Sequence, residues 1–339
     1  MNVAFRVDAS LEIGLGHLMR CLALSEELTR RGHSCSIVSK TNDRHLLDTI
    51  TNFNVAHQKI KPTATLKEDL DILLKFSKDH EVDWVVTDHY GIDGAYVNAI
   101  KQQGFNVLSI DDTAQLHYSS DIVVNQNIGA ERLTFSTEPS TTLLLGPTYV
   151  MLRDELLRRE EKKERSSVKK ILITLGGTDP DNFVLKIVQS LASVSSDVKF
   201  LVVLGPFYPF LSDLQTYMKK MNAPIAVFRS PKNMADVYLT TDLAVSAGGS
   251  SCYELAYFGI PLMIITIAEN QERLSRELDK QHIGIYLGRK NKMDMTILNK
   301  KFKELLNHHS LQQTMGRNGR TLIDGNGKKR IVDAMERFQ

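Results

Sequence analysis

Short apolar runs alternate with longer stretches of helical period from one end of the chain to the other. Residues 3–7 (Val-Ala-Phe-Arg-Val) read as a strand, 16–31 as an amphipathic helix closed by Gly32, and 36–39 as the next strand. Further strands are expected at 84–87, 105–110 and 122–124, with helices at 66–80 and 94–103. Such repetition builds a parallel sheet with helices on both faces. The pattern breaks after residue 151, where Arg153-Asp154-Glu155 and the unbroken charged run from Arg158 to Arg165 offer little apolar face. A run of this kind is a solvated helix and linker. Alternation restarts at 170–175 and continues with strands at 200–204, 225–228, 243–246 and 262–266. The expected organisation is therefore α/β: two doubly wound, Rossmann-like domains, residues 1–150 and 170–339, joined by a charged linker helix at 151–169. Ligands of open α/β sheets bind at the C-terminal edges of the strands, so the expected site is a central cleft that both domains face.

Composition narrows the function classes. The 339 residues are 42% hydrophobic and 24% charged, enough to bury a sizeable core. Lysine plus arginine number 42 against 40 acidic residues, a net charge of +2 that gives no reason to expect nucleic acid. The apolar runs are too short to span a bilayer, and the opening Met1-Asn2-Val3-Ala4-Phe5-Arg6 lacks the pattern of a secretory leader. Three cysteines without C-x-x-C spacing suggest neither a disulfide framework nor a zinc site. A cytoplasmic, monomeric protein without metal or cofactor is the expectation.

The candidate chemistry sits where strands end. After the first strand comes Asp8, then Gly14-Leu15-Gly16-His17 at the start of a helix. Gly14 and Gly16 allow a tight turn and a close backbone approach to substrate. Met19 and Ser39-Lys40 stand where a dinucleotide site would place a small residue and an acid. His17 lies by the positive end of the helix dipole, which disfavours imidazolium and suits a general base. Asp8 is the expected orienter of His17. Asp88-His89-Tyr90-Gly91 follows another strand and could supply sugar-hydroxyl and water-orienting contacts. Asp111-Asp112 reads as a turn, and Asp69-Leu70-Asp71 falls on a helix rather than in a metal-binding loop. In the second half, Gly176-Gly177-Thr178-Asp179 and Gly248-Gly249-Ser250-Ser251 each follow a strand and suit a diphosphate. Glu254, one turn into the helix, could accept from ribose hydroxyls or close a capping box with Ser251 as N-cap. Asn270-Gln271 open a further helix expected on the same cleft.

Taken together, Phe5-Arg6-x-Asp8, Gly14-x-Gly16-His17-x-x-Arg20, Asp88-His89-Tyr90-Gly91, Gly176-Gly177-Thr178-Asp179, Ser250-Ser251-x-x-Glu254 and Asn270-Gln271 resemble one family. It is the UDP-2,4-diacetamido-2,4,6-trideoxy-β-L-altropyranose hydrolases of pseudaminic acid biosynthesis, relatives of the peptidoglycan N-acetylglucosaminyltransferase with a GT-B-like fold. The resemblance implies metal-free release of UDP from the UDP-linked diacetamido sugar by water attack with inversion, and a place in glycan assembly such as flagellin glycosylation. It implies His17 as base, UDP contacts at Ser250, Ser251 and Glu254, and Arg153, Tyr90 and Asn270 near the sugar. Some members carry a fused acetyltransferase domain, which this chain is expected to lack. Two other classes fit the same motifs, a glycosyltransferase using a UDP-amino-sugar donor and a non-catalytic UDP-sugar binding module.

Overall fold

A computed structural model describes residues 1–338 apart from 11–13, 42, 158–167, 178, 196, 222–223 and 232. The charged stretch expected as a linker helix thus falls mostly outside the described residues. The chain divides into two compact units. The first comprises Met1–Asp154 together with Gly325–Gln339, and the second Glu155–Asp324.

The first unit runs β1 (Asn2–Val7), α1 (Gly16–Arg30), β2 (Ser34–Ser39), α2 (Arg44–Asn52), β3 (Ala56–Lys59), α3 (Leu66–Asp79), β4 (Trp84–Asp88), α4 (Gly94–Gln102) and β5 (Asn106–Ile110). It continues with β6 (His117–Tyr118), β7 (Ile122–Asn125), β8 (Ser136–Thr137) and β9 (Thr142–Leu145). Seven of these strands form one sheet in the order β3-β2-β1-β4-β5-β7-β9, and every pairing is parallel. Every residue of β4 and β7 is buried. That is why these strands read as unbroken apolar runs rather than alternating ones. Side-chain caps that the sequence supplies start α3 and α4. Thr65 and Glu68 close a capping box on α3, and Asp93 caps α4. Leu15 precedes α1 without one.

The second unit contains β10 (Lys170–Thr174), α5 (Phe183–Ala192), β11 (Lys199–Leu204), α6 (Leu211–Met221), β12 (Ile225–Arg229), α7 (Met234–Thr240), β13 (Leu243–Ala247), α8 (Ser251–Tyr257) and β14 (Leu262–Thr266). After these come α9 (Glu272–Lys280), β15 (Gly284–Arg289), α10 (Met295–Asn307) and α11 (His309–Leu322). Its parallel sheet has the order β12-β11-β10-β13-β14-β15. Ile171, Ile173, Phe200, Val202, Val245 and Met263 anchor its core.

The last helix departs from the expected division at 170–339. α12 (Gly327–Glu336) packs with α1 in the first unit. A Cβ on Gly327 would lie 2.2 Å from the Val150 carbonyl oxygen, so only glycine fits there. The buried Lys328 ammonium binds Glu26 at 3.0 Å and Asp154 at 2.6 Å. Among the described residues no helix is long and apolar enough to cross a membrane.

In both sheets the strand order reverses once, between β1 and β4 and between β10 and β13. Loops leaving the C-terminal ends of such a strand pair diverge and open a crevice.

Candidate active site

At the first of these switch points, Gly14 takes φ +83° and donates its N–H to the Ser10 carbonyl at 2.8 Å, turning the chain from β1 into α1. A positive φ of this size is where glycine is favoured. His17 then falls in the first helical turn and is 8% exposed. Its Nδ1 lies 2.6 Å from Oδ1 of Asp88, the buried last residue of β4. Arg20, one turn further along α1, donates Nε to Asp88 Oδ2 and Nη2 to Oδ1, both at 2.6 Å. The same guanidinium reaches Asp112 beyond β5, at 2.9 and 3.0 Å. Burial works against the charged form of Asp88, but Arg20 and His17 outweigh it and hold the carboxyl well below its usual range.

That ionisation state fixes the tautomer. An ionised carboxylate only accepts, so a 2.6 Å contact requires the proton on Nδ1. The Arg20 Nη2 atom, 3.1 Å from the same nitrogen, only donates and makes no bond there once Nδ1 carries a proton. In the neutral ring Nε2 then keeps the lone pair, and that is the nitrogen a base uses. Tyr90, 57% exposed, sets its ring edge-on to His17 with centroids 4.7 Å apart. Its hydroxyl donates to Asp112 Oδ2 at 3.2 Å, and Asn127 donates to Asp112 Oδ1 at 2.7 Å.

Asp8 does not orient His17, contrary to the sequence expectation. Residues two apart on a strand share a face, and Asp8 is taken by Arg6, whose Nη1 and Nη2 donate to it at 2.7 and 2.9 Å. It also accepts from the Lys40 backbone N–H at 2.7 Å and pairs with His89 Nε2 at 3.0 Å. Arg6 reaches on to Asp69 at 2.8 and 2.6 Å, where the Tyr96 hydroxyl also donates. Asp69 is thus a buried partner of Arg6. His89, expected as a substrate contact, has both ring nitrogens engaged. The Gly91 N–H donates to Nδ1 at 2.8 Å, which leaves Nε2 as the donor to Asp8. It ties the loop carrying Tyr90 to β1. Asp111 accepts from the Thr113 and Ala114 amides, the turn expected of it, whereas Asp112 is an ion-pair partner that sequence reading missed. Arg20 was visible in the motif, and its spacing of three from His17, one helical face, was the signal for a shared site.

At the second switch point, Gly176 takes φ +88° after β10, and Gly177 follows it. Gly248 and Gly249 follow β13, the strand beside β10. A Cβ on Gly248 would lie 2.2 Å from Ser275 Oγ and 3.2 Å from Gln271 Cβ. The bare backbone lets the 269–271 turn, with Asn270 and Gln271, close against the glycines. Gln271 is fixed by the Ile267 N–H, which donates to its Oε1 at 2.9 Å. The capping box read at Ser251 does not form. Ser250 is the N-cap, without a side-chain cap bond, and Glu254 instead accepts from the Tyr238 hydroxyl at 2.6 Å. Arg153 lies one residue before the end of the first unit.

Residues 171–336 match the glycosyltransferase family 28 C-terminal domain. The chain is 29% identical over 290 residues to an uncharacterized protein of Methanocaldococcus jannaschii, spanning 82% of this chain and 57% of that protein. It is 24% identical over 341 residues to the spore coat polysaccharide biosynthesis protein SpsG of Bacillus subtilis, spanning 99% and 98%. It is 26% identical over 285 residues to the UDP-2,4-diacetamido-2,4,6-trideoxy-beta-L-altropyranose hydrolase of Campylobacter jejuni, spanning 83% and 97%. The solved structure of MurG from Acinetobacter baumannii superposes with a TM-score of 0.72 at 17% identity, covering 99% of each chain. The protein has a GT-B-like fold of two Rossmann-like domains, and the family 28 match lies in the second half of the chain. The resemblance first read from its motifs is shared by relatives that carry the hydrolase name.

Proposed function

We propose that the protein hydrolyses a UDP-linked diacetamido sugar, UDP-2,4-diacetamido-2,4,6-trideoxy-β-L-altropyranose, with inversion at the anomeric carbon. The observation that carries this reading is the 2.6 Å contact between His17 Nδ1 and the ionised Asp88, which leaves Nε2 ready to take a proton. A pure binding module has no use for a base held in this way. Water attacks the anomeric carbon as its proton passes to Nε2, and the carbon–oxygen bond to UDP breaks with its electron pair leaving on the diphosphate. Because UDP is a stable leaving anion, the reaction makes little demand for a general acid. The base is worth about 10²–10⁴-fold.

In this reading the second unit holds the nucleotide. Backbone N–H groups at Gly176, Gly177, Gly248, Gly249, Ser250 and Ser251, with the serine hydroxyls, meet the diphosphate, and Glu254 meets the ribose. Sugar contacts are assigned to Gly14, Gly16, Tyr90 and Arg153 in the first unit and to Asn270 and Gln271 in the second, and Asp88 and His89 act by holding His17 and the Tyr90 loop. The name of the Campylobacter relative supports this substrate.

The test is to incubate the protein with the UDP-sugar, without acceptor and with EDTA, and to follow UDP and sugar by NMR. Prompt UDP release and an inverted anomer are expected, with turnover lost in His17→Asn. A metal requirement, or a His17→Asn variant of normal rate, would refute the mechanism. The family 28 domain favours a second reading, transfer to a hydroxyl acceptor. Its mark in the same experiment is that UDP appears only once an acceptor is added.

A further inference from the structure

We infer that Arg20 and Asp112 are positioning residues that set the basicity of His17 through their charges; this rests on the reading of His17 as the base. Among the described residues, the groups facing the imidazole come from three elements. α1 contributes Arg20 and Cys21, the end of β4 contributes Asp88 and Tyr90, and the residue beyond β5 is Asp112. The Cys21 thiol donates to Asp88 Oδ2 at 3.6 Å, and burial beside that carboxylate keeps it protonated. Asp8 at the end of β1 is occupied by Arg6 and His89. The charges that count are therefore Asp88, Asp112 and Arg20.

With His17 neutral these three sum to one negative charge. A proton arriving on Nε2 brings the group to zero. Asp88 and Arg20 alone would cancel, and the imidazolium would then stand as an uncompensated cation in a buried site, which is costly. Asp112 supplies the missing negative charge. It reaches Arg20 through both Nη1 and Nη2, so the two carboxylates bracket one guanidinium. The same carboxylate accepts from Tyr90, whose ring edge rests on His17. One side chain thus sets both the charge and the cover of the base.

The test is a double-variant cycle on the full chain, reading the titration midpoint of His17 by NMR of histidine-labelled protein. The resonance is assigned by its loss in His17→Asn. Asp112→Asn leaves the cluster neutral before protonation and is expected to lower the midpoint by about one pH unit. Arg20→Gln leaves two negative charges and is expected to raise it by about as much. The double variant restores one negative charge, and its midpoint is expected to return close to wild type. General structural damage has no reason to reverse in this way.

Unchanged midpoints in the single variants, or a double variant that fails to return, overturn the assignment. Should Arg20→Gln not fold, Asp112→Glu keeps the charge and is expected to leave the midpoint near wild type. Equal shifts in Asp112→Asn and Asp112→Glu overturn the assignment as well. The acid limb of kcat/KM for UDP release is measured alongside. If the midpoints move as expected and that limb does not follow, the counter-charge assignment is upheld and the role of His17 as base is what fails.

Discussion

Replacing Asp88 by Asn is the most exacting test of the site, because it preserves volume while it removes one negative charge and turns one accepting oxygen into a donor. The carboxylate accepts from His17 Nδ1, from Arg20 Nε and from Arg20 Nη2, all at 2.6 Å. A carboxamide offers one accepting oxygen and one donating NH2. Both carboxylate oxygens face Arg20, which has no acceptor, but only the Oδ1 position also faces an imidazole nitrogen that can accept. The amide oxygen therefore stays on Arg20 Nε and the NH2 turns to Nδ1. That forces the proton to Nε2, where it blocks the base. Loss of a general base costs about 10²–10⁴-fold in rate, or about 3–5 kcal/mol of transition-state stabilisation. The stability penalty falls below the about 3–5 kcal/mol typical of a stranded buried charge, because Asp112 still neutralises Arg20. The assay is the initial rate of UDP release, with UDP affinity by calorimetry and the His17 tautomer by ¹⁵N NMR. UDP affinity is expected to hold, since the nucleotide is assigned to the second unit. His17→Asn and the double variant are expected to be no slower than Asp88→Asn, as the two residues act together. A variant that turns over within about tenfold of wild type, with Nε2 protonated, would refute the base assignment.

Two further outcomes follow from the packing and the charges. Gly248→Ala places a methyl 2.2 Å from Ser275 Oγ, and forcing that contact open costs about 1–3 kcal/mol. Thermal unfolding and UDP affinity should both fall, and Ser275→Ala should recover part of the loss; an unchanged affinity would remove Gly248 from the nucleotide site. The second concerns acid. Asp8 and Asp88 are held well below the ordinary carboxylate range: burial opposes their charge, and the partners His89 and Arg6, or Arg20 and His17, override it. The folded protein therefore binds fewer protons than the unfolded chain, so this stabilisation is complete above the unfolded pKa of about 4 and is lost as pH falls below it. Urea unfolding should show the decline, and Asp8→Asn should be less stable at neutral pH yet flatter in acid. Parallel curves for the two proteins would contradict it.

Most strands were legible because parallel strands covered on both faces are continuous apolar runs, as Trp84-Val85-Val86 and Ile122-Val123-Val124 show. The placement of α12 was not legible. Its contacts with Val150 and Asp154 lie more than 170 residues away in sequence, and no local pattern says which unit it will join. The motifs around the site were legible as motifs, but their pairing was not. Which carboxylate meets His17 depends on β4 lying beside β1, a fact of strand order. Half of the answer was nevertheless available, since Arg6 and Asp8 share a face by strand parity and an arginine two residues away is the nearest claimant for that acid.

In the proposed reading the two units put one topology to two chemistries. Each sheet reverses its order beside the strand that opens the unit, and each places its distinctive residues at that reversal. In the first unit the strand ends and the first turns of α1 carry ionised side chains, Asp8, Asp88 and Arg20, each held by a partner of opposite charge. Such an array can orient a proton-accepting imidazole. In the second unit the corresponding loops carry glycines and hydroxyl residues, and the neighbouring turn packs directly against bare backbone at Gly248. What such loops are proposed to offer an anion is N–H groups and the start of a helix. Proton transfer needs charges whose positions are fixed, and reversible nucleotide binding needs amides that can be approached closely. The same crevice supplies either one, according to whether side chains fill it or are withheld.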